Sequence, residues 1–403
     1  MVKCDPNSNR IQQLSIPKNL FNQYYEHAKD CLPPSFRAKP NSKYSTKTIV
    51  RYVSMMCAKN TSHEGISCMM QDKTDKDVPS GACLLLRTGG SPYMVTRDAL
   101  DKMLNRTISL PQIRRLLKKQ VTSASDDHDV PVLFRKFVDE YMATGKPKGG
   151  TSTHLRYTTF KIVHGTLGLT VVVHATGKKY NKADVVRLQI EHARKIGIMS
   201  KVHLLDKGFY IVDVISALND LNQLFIMPAV KKQWVIDAIE AYANGTGKPL
   251  FQRTIRSKNA KATVTVMIVP KNGAKDTDPP KDRYVAFITN ASMRDAFTML
   301  ANVSIKYRKR WDIETAFRVA KQVRPFTCSR NPSVRLVLFY FTMILYNLWK
   351  ISCWLAGGSD GTGDTYVRPP ITMKRMMNAL NTACKQMIRE DIISEAFFSD
   401  LVT

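Results

Sequence analysis

The chain is poor in acidic residues and lacks the cysteine patterns of a zinc or disulfide scaffold. Its 403 residues contain 33 Asp and Glu against 61 Lys and Arg, which gives a formal net charge of +28. The 8 cysteines form no Cys-x2-Cys pair and have no histidine at zinc-ligand spacing. We therefore exclude a zinc-finger protein and a small disulfide-stapled domain, and we interpret the cysteines as reduced, mostly buried thiols.

The first 20 residues lack an apolar core of signal-peptide length, so we expect an intracellular protein, in the cytoplasm or nucleoid if the host is prokaryotic. No internal repeat or low-complexity tract is present. The basic excess extends over the whole chain, whereas an anionic membrane surface usually recruits a polybasic tail or an amphipathic helix. The charge therefore predicts a nucleic-acid partner.

A single long hydrophobic run extends over Leu336–Leu355 and approaches the length of a membrane span. Asn347 and Lys350 interrupt it, Arg335 precedes it, and no second run of this kind exists. These features favour the buried core helix of a large domain over a membrane helix, and we predict no membrane partner.

The hydrophobic patterning divides the chain into five segments. Residues 1–118 are predicted to be helical, and 119–229 to contain three consecutive strands followed by helix, strand, helix and strand. Residues 230–290 form a β-rich insertion, 291–355 carry two further helices, and 356–403 form a linker and a helix. This order predicts an α/β fold in which an RNase H-like core, its first strands antiparallel, is interrupted by a β-rich insertion and preceded by a helical domain.

The first segment contains a pattern typical of a helix-turn-helix unit. Thr46–Ala58 and His63–Met70 are predicted helices joined by a short turn, and a third apolar run follows at Gly81–Leu86. Such a unit would bind DNA. The alternative is a helical bundle without a groove-reading helix.

Tyr307, Arg310, Glu314 and Lys321 have a spacing that predicts one polar face of a helix. At about 100° per residue, their offsets place the four side chains within an arc of roughly 60°. A separate apolar stripe at Ile313, Ala316 and Ala320 would pack on a core. The polar face could bind a ligand, or it could simply be solvated.

Two further acidic motifs follow predicted strands. Asp206 comes directly after the hydrophobic strand Lys201–Leu205, where α/β sheets place their ligand sites, although Asp is also a common helix N-cap. Asp126, Asp127 and Asp129 follow the strand Val121–Ser125, and they could instead form a charged turn.

Three carboxylates on different elements are the ligand set of a two-metal phosphoryl-transfer site. Mg²⁺ prefers carboxylate and water oxygens, and two ions roughly 3.5 to 4 Å apart can activate the attacking oxygen and stabilise the leaving oxygen. Basic residues beside such a site would hold the phosphate backbone.

These motifs resemble those of the DDE insertion-sequence transposases with the YREK signature, a cut-and-paste family. Tyr307, Arg310, Glu314 and Lys321 match Tyr-x2-Arg-x3-Glu-x6-Lys, and Leu204–Tyr210 resembles the second-Asp motif, with Lys207 where Arg is usual. The segment Asp126–Pro131 resembles the first-Asp motif Asp-Gly-x-Asp-Ile-Pro. The alignment of its proline favours Asp126 as the first ligand, while Asp127 and Asp129 remain alternatives.

The resemblance covers roughly residues 120–354 and implies a metal-dependent enzyme acting on double-stranded DNA. It implies that Asp126, Asp206 and Glu314 are catalytic and bind two Mg²⁺ ions, for which Mn²⁺ may substitute. The implied reaction is cleavage at the transposon ends followed by strand transfer into target DNA.

The same resemblance implies that Tyr307, Arg310 and Lys321 bind the transposon end, and that the protein is a homodimer in its DNA complex. Two alternatives are kept. One is a transposase-derived DNA-binding protein without catalytic activity, and the other is an RNase H-like nuclease without strand transfer.

Overall fold

The structure is a computed structural model that describes residues 19–72, 78–117, 120–133, 142–163, 167–356 and 369–400. The predicted linker at 357–364 lies outside these residues. The chain separates into two compact units. A helical unit comprises Met1–Arg115, Gly165–Thr170 and Thr315–Thr403, and a sheet unit comprises Leu116–His164 and Val171–Glu314.

The helical unit is built from both ends of the chain. Its helices are α1 (19–28), α2 (Thr46–Lys59), α3 (His63–Gln71), α4 (Gly81–Gly89), α5 (Tyr93–Ile108), α14 (Pro332–Leu355) and α15 (Met373–Asp400). Short helix α6 (Pro111–Leu116) follows α5.

Serine caps set the starts of the early helices. The hydroxyls of Ser45, Ser62 and Ser80 each accept a hydrogen bond from the backbone N–H three residues later, at the starts of α2, α3 and α4. These bonds satisfy backbone donors that have no partner inside the helix. The predicted helices of the helix-turn-helix pattern therefore form within about two residues of their expected bounds. Their DNA-binding role stays a prediction.

Helix α14 is the buried centre of the helical unit, where it packs against α2, α4 and α5. It is the one described helix that is long and apolar enough to cross a membrane, and 94% of its most apolar window is buried. The helix is a core element, as its interruption by polar residues predicts. Asn331 caps its start by accepting from the N–H of Ser333, and Pro332 occupies its first turn.

Asn347 explains why a polar residue occurs in the middle of this apolar helix. Its side chain is 0% exposed, accepts a hydrogen bond from the N–H of Thr170, and donates to the carbonyl of Thr170 and the hydroxyl of Thr107. A buried polar group is stable only when its hydrogen bonds are made. Asn347 thereby satisfies the backbone of Thr170 at the start of a strand.

A hydrogen bond between a tyrosine hydroxyl and a carboxylate joins α14 to α5. The hydroxyl of Tyr340 donates a short hydrogen bond to the carboxylate of Asp101. Burial is the main cause that raises the pKa of Asp101 to about 6, and neighbouring Asp98 raises it further, while the Tyr340 bond and the charge of Arg97 oppose this rise. Ionised Asp101 therefore depends on its hydroxyl donor.

We expect Tyr340→Phe to destabilise the protein more at pH 7.5 than at pH 5. The folded-state pKa of Asp101 is raised, so its favourable contribution is complete at low pH and declines as the pH rises through about 6. Removing the donor leaves a buried carboxylate unsatisfied, at a cost of about 1–3 kcal/mol when it is ionised. Thermal unfolding of both proteins at the two pH values measures this; an equal loss at both would contradict it.

The sheet unit contains nine described strands in one sheet, with the order β2-β3-β1-β5-β6-β9-β8-β7 and β4 paired to β3. The strands are β1 (Val121–Pro131), β2 (Ala143–Lys148), β3 (Thr151–Ile162), β4 (Thr170–Thr176), β5 (Ser200–Leu205), β6 (Phe225–Pro228), β7 (Leu250–Arg256), β8 (Lys261–Pro270) and β9 (Tyr284–Thr289). The helices are α7 (Lys182–Lys195), α8 (Val212–Asp220), α9 (Gln233–Ala243), α10 (Pro280–Arg283), α11 (Met293–Leu300) and α12 (Val303–Arg308).

Strand directions follow the prediction, but four strands precede α7 and not three, because β2 also pairs with β3. β1 pairs antiparallel with β3, whereas β1, β5 and β6 are parallel neighbours reached through the crossover helices α7 and α8. The segment 230–290, predicted as an insertion, adds α9 and then continues the same sheet, because β9 pairs antiparallel with β6 and β8 pairs with β9.

The predicted continuous helix from Tyr307 to Lys321 is wrong. Helix α12 ends at Arg308, α13 begins at Trp311 and ends at Ala320, and Lys321 opens a 3₁₀ turn. Between them the N–H groups of Arg310 and Ile313 bond to carbonyls three residues earlier, which tightens the backbone. The sequence contains no Gly or Pro there to signal the break. The predicted apolar stripe is correct: Ile313, Ala316 and Ala320 are at most 2% exposed.

Candidate active site

Asp126 and Asp206 lie beside each other where the ladder between the parallel strands β1 and β5 ends. The last paired residues of β1 and β5 are Ser125 and Leu205. The residue that follows each of them in the sequence is an aspartate. The two carboxylates are close enough that the charge of Asp206 raises the pKa of Asp126. The sequence suggested that Asp126 follows the end of its strand. Strand β1 instead extends to Pro131, so Asp126 lies within it.

The guanidinium of Arg310 connects Asp126 to Glu314. Its Nη1 is 3.3 Å from Oδ2 of Asp126, and its Nη2 is 2.7 Å from Oε1 of Glu314. Arg310 is only 6% exposed. The break between α12 and α13 thus places Arg310 against the carboxylates, and not on an outward helix face.

Burial and the neighbouring carboxylates raise the pKa of Asp126, whereas Arg310 lowers it. Desolvation is the largest cause that raises its pKa to about 6, and the nearby charges of Asp206 and Asp127 add to the rise. The positive charge of Arg310 and a hydrogen bond from the N–H of Asp127 oppose it. Such a carboxylate is stabilised in its ionised form by any cation placed beside it.

Tyr307 supports the site from the side of β5. Its hydroxyl donates to the carbonyl of Leu205 at 3.2 Å, its ring packs against Phe287, and the guanidinium carbon of Arg310 is 5.5 Å from the ring centroid. Burial raises the pKa of Tyr307 well above its ordinary value. Lys321 belongs to the helical unit, where its side chain is exposed.

Asp127 and Asp129 have partners of their own. Asp129 accepts two hydrogen bonds from Arg156, at 2.7 and 3.1 Å, and these lower the pKa of Asp129 although burial raises it. Asp127 accepts from the hydroxyl of Thr158 at 2.6 Å and pairs with Lys182 at 3.0 Å. Because side chains alternate along a strand, both residues point away from the face that carries Asp126.

The donor chemistry of Asp126 and Asp206 suits a hard divalent cation, since both offer carboxylate oxygen. Glu314 offers a third carboxylate on the far side of Arg310. Within the part of the chain that the structure describes, no three His, Cys, Asp or Glu side chains stand together as a metal-holding group. The donor chemistry of the aspartate pair fits a cation, whereas Oε1 of Glu314 is bonded to Arg310.

The sequence of residues 119–348 matches the family model of the transposase DDE domain, which covers more than half of the chain. The chain belongs to this transposase family. No curated protein matches it. Among solved structures it is similar to the piggyBac transposase in a synaptic complex with hairpin DNA, with a TM-score of 0.56 and 10% identity over 94% of this chain and 81% of that one. At this identity the likeness concerns the fold of the transposase alone.

Lys182 is the residue near this site that sequence reasoning missed. It contacts Asp127 and the carbonyl of Gly208, two residues beyond Asp206. A lysine at the first turn of a predicted helix carries no signal of such a role, because the contacts depend on the packing of α7 against the sheet.

Proposed function

We propose that this transposase cuts DNA at the ends of a mobile element and joins the freed ends to target DNA. The adjacency of Asp126 and Asp206 at the point where the β1–β5 ladder ends, with Glu314 connected through Arg310, carries this proposal. In that account the sheet unit is an RNase H-like core and its strands β7 to β9 are the insertion of the YREK-signature family.

Asp126 and Asp206 are the proposed first ligands of Mg²⁺, with Glu314 as the third, and Mn²⁺ is the expected substitute. Two such ions, when bound, activate an attacking oxygen and stabilise a leaving oxygen. DDE transposases generally use divalent metals, which agrees with the ligand chemistry of these side chains.

Arg310 has a proposed role in both the free and the DNA-bound protein. A guanidinium offers the same bidentate geometry to a phosphate as to a carboxylate. In the free protein Arg310 is the shared counter-ion of Asp126 and Glu314. When DNA enters, we infer that a backbone phosphate replaces Glu314 as a partner of Arg310, which leaves Glu314 available for a cation.

Double-stranded DNA is the proposed partner because of the net charge of +28 and because the similar piggyBac structure is a complex with DNA. Tyr307, Arg310 and exposed Lys321 are proposed to hold the transposon end, and α2 to α4 to contribute further DNA contacts. A homodimer is the proposed assembly on DNA.

The experiment uses purified protein, a plasmid that carries the gene with its flanking DNA, and a second, unrelated plasmid. With Mg²⁺ we expect breaks at two fixed positions flanking the gene and products in which those ends are joined to the second plasmid. In EDTA we expect neither.

Two other functions would give different products. A nuclease would produce breaks without joined products, and an inactive DNA-binding protein would produce a gel shift without breaks. Either pattern would contradict the proposal, and the joined products separate a transposase from a nuclease, since an aspartate pair can serve both.

A further inference from the structure

Lys182 makes three contacts at once on the face of the sheet away from Asp126. Its Nζ lies 3.0 Å from Oδ2 of Asp127 and donates to the carbonyl of Gly208 at 2.9 Å. The same ammonium stands over the ring of Phe209, 4.4 Å from the centroid. One side chain therefore joins the segment that follows Asp126 to the segment that follows Asp206.

The contacts occur where the sheet stops holding the two segments together. The parallel ladder between β1 and β5 ends at Ser125 and Leu205, so no described ladder pairing links Asp126 to Asp206. The separation of the two carboxylates then depends on contacts outside the ladder. Lys182 supplies such contacts within two residues of each aspartate.

Lys182 is itself held in place by the start of α7. Asn181 caps this helix by accepting from the N–H of Ala183. Two turns later Gln189 accepts from the hydroxyl of Ser125 and donates to the carbonyl of Thr158, so α7 is fixed to both β1 and β3. Hydrogen bonds therefore fix the helix that carries Lys182 relative to β1 and β3.

The position of Lys182 also runs against the ordinary electrostatics of a helix. A cation in the first turn is disfavoured, because the N-terminal end of the helix carries partial positive charge. The carboxylate of Asp127 and the carbonyl of Gly208 offset that cost. An exposed ion pair contributes little by itself, but the side chains of Lys182 and Asp127 are only 26% and 16% exposed and belong to a larger set of contacts.

We propose that Lys182, through Asp127 and Gly208, is a positioning residue that sets the spacing of the carboxylates of Asp126 and Asp206. The proposal rests on the function inferred above, in which these carboxylates hold a divalent cation. Lys182 does not touch the cation or the DNA in this account. It acts as outer partners of metal ligands do, by fixing the orientation of the ligands.

The test compares Lys182→Met and Asp127→Asn with the control Lys179→Met, whose exposed side chain lies three residues earlier in the chain. Mn²⁺ binding to the free protein is measured by electron paramagnetic resonance, and plasmid cleavage and DNA binding are measured in parallel. We expect both test variants to bind Mn²⁺ about tenfold more weakly and to cleave at least about tenfold more slowly. DNA affinity and thermal stability should stay near wild type, as in the control.

Two further variants separate positioning from general destabilisation. Lys182→Arg keeps a cation at this place and should recover much of the Mn²⁺ affinity. The double variant Lys182→Met/Asp127→Asn should be no worse than the poorer single variant, because both changes remove the same contact between Lys182 and Asp127. If Lys182→Met does not fold, Asp127→Asn decides the question, since it retains Lys182 and its bond to Gly208.

Mn²⁺ affinity equal to wild type in Asp127→Asn and in any folded Lys182→Met would overturn the proposal, as would additive losses in the double variant. Failure of the proposed function looks different. In that case the wild-type protein cuts no DNA, or its Mn²⁺ binding is unchanged by Asp206→Ala.

Discussion

Asp206→Ala is expected to lower the rate of DNA cleavage by roughly a thousandfold or more while DNA binding is retained. Removing one of two adjacent carboxylates takes away a proposed metal ligand, and losses of this size are typical for groups that act together at a reaction centre. Binding to the phosphate backbone should not weaken, since the substitution removes negative charge that repels DNA. Glu314→Ala should show the same separation of cleavage from binding.

The measurement is a single-turnover cleavage assay on the plasmid with flanking DNA, with gel-shift titrations in parallel. Glu240→Ala is a matched control, because Glu240 is an exposed carboxylate on α9 of the same unit. Cleavage by Asp206→Ala close to the wild-type rate would contradict the site.

Arg310→Ala has the second-largest expected effect, and it is visible without DNA. The substitution removes a nearly buried cation from Asp126 and Glu314. Breaking a buried ion pair costs 3–5 kcal/mol in general, but Glu314 is 44% exposed and Asp126 can take up a proton, so we expect about 2 kcal/mol. Divalent cations should restore more stability to this variant than to wild type, because they replace the missing charge.

Thermal unfolding in EDTA and in millimolar Mg²⁺ measures this difference, and Arg308→Ala serves as the control because Arg308 is exposed two residues earlier. Cleavage should fall about a hundredfold, and by more than DNA binding does, since small displacements near the reacting atoms are costly. A variant that is as stable as wild type in EDTA and responds equally to Mg²⁺ would show that Arg310 is not the internal counter-ion of this site.

The sequence patterns predicted the sheet unit closely because its strands and helices have clear periodicity. The order of helix, strand, helix and strand from α7 to β6 is the expected one, and β5 begins one residue before its predicted start at Lys201. Side-chain alternation along β1 separates Asp126 from Asp127 and Asp129, and the choice of Asp126 as the first ligand stays a prediction. Asp127 and Asp129 are held by Lys182 and Arg156 on the other face.

Other features depend on tertiary contacts that periodicity does not encode. Strand β2 has the sequence ATGKPK, which lacks a strand pattern and is held by pairing with β3. The break between α12 and α13 contains no Gly or Pro. In the structure it lies where the side chain of Arg310 contacts Asp126 and Glu314. The continuation of the sheet by β7 to β9 requires the pairing of β9 with β6, which local sequence cannot specify.

The most direct test of the central claim compares Mg²⁺-dependent cleavage by Asp126→Ala and Asp129→Ala at a temperature where both proteins are folded. Asp126 lies beside Asp206 and contacts Arg310, whereas Asp129 is bonded to Arg156. The account predicts that Asp126→Ala loses cleavage and keeps DNA binding, and that Asp129→Ala retains most of its cleavage. Full cleavage by Asp126→Ala, with loss in Asp129→Ala, would contradict it.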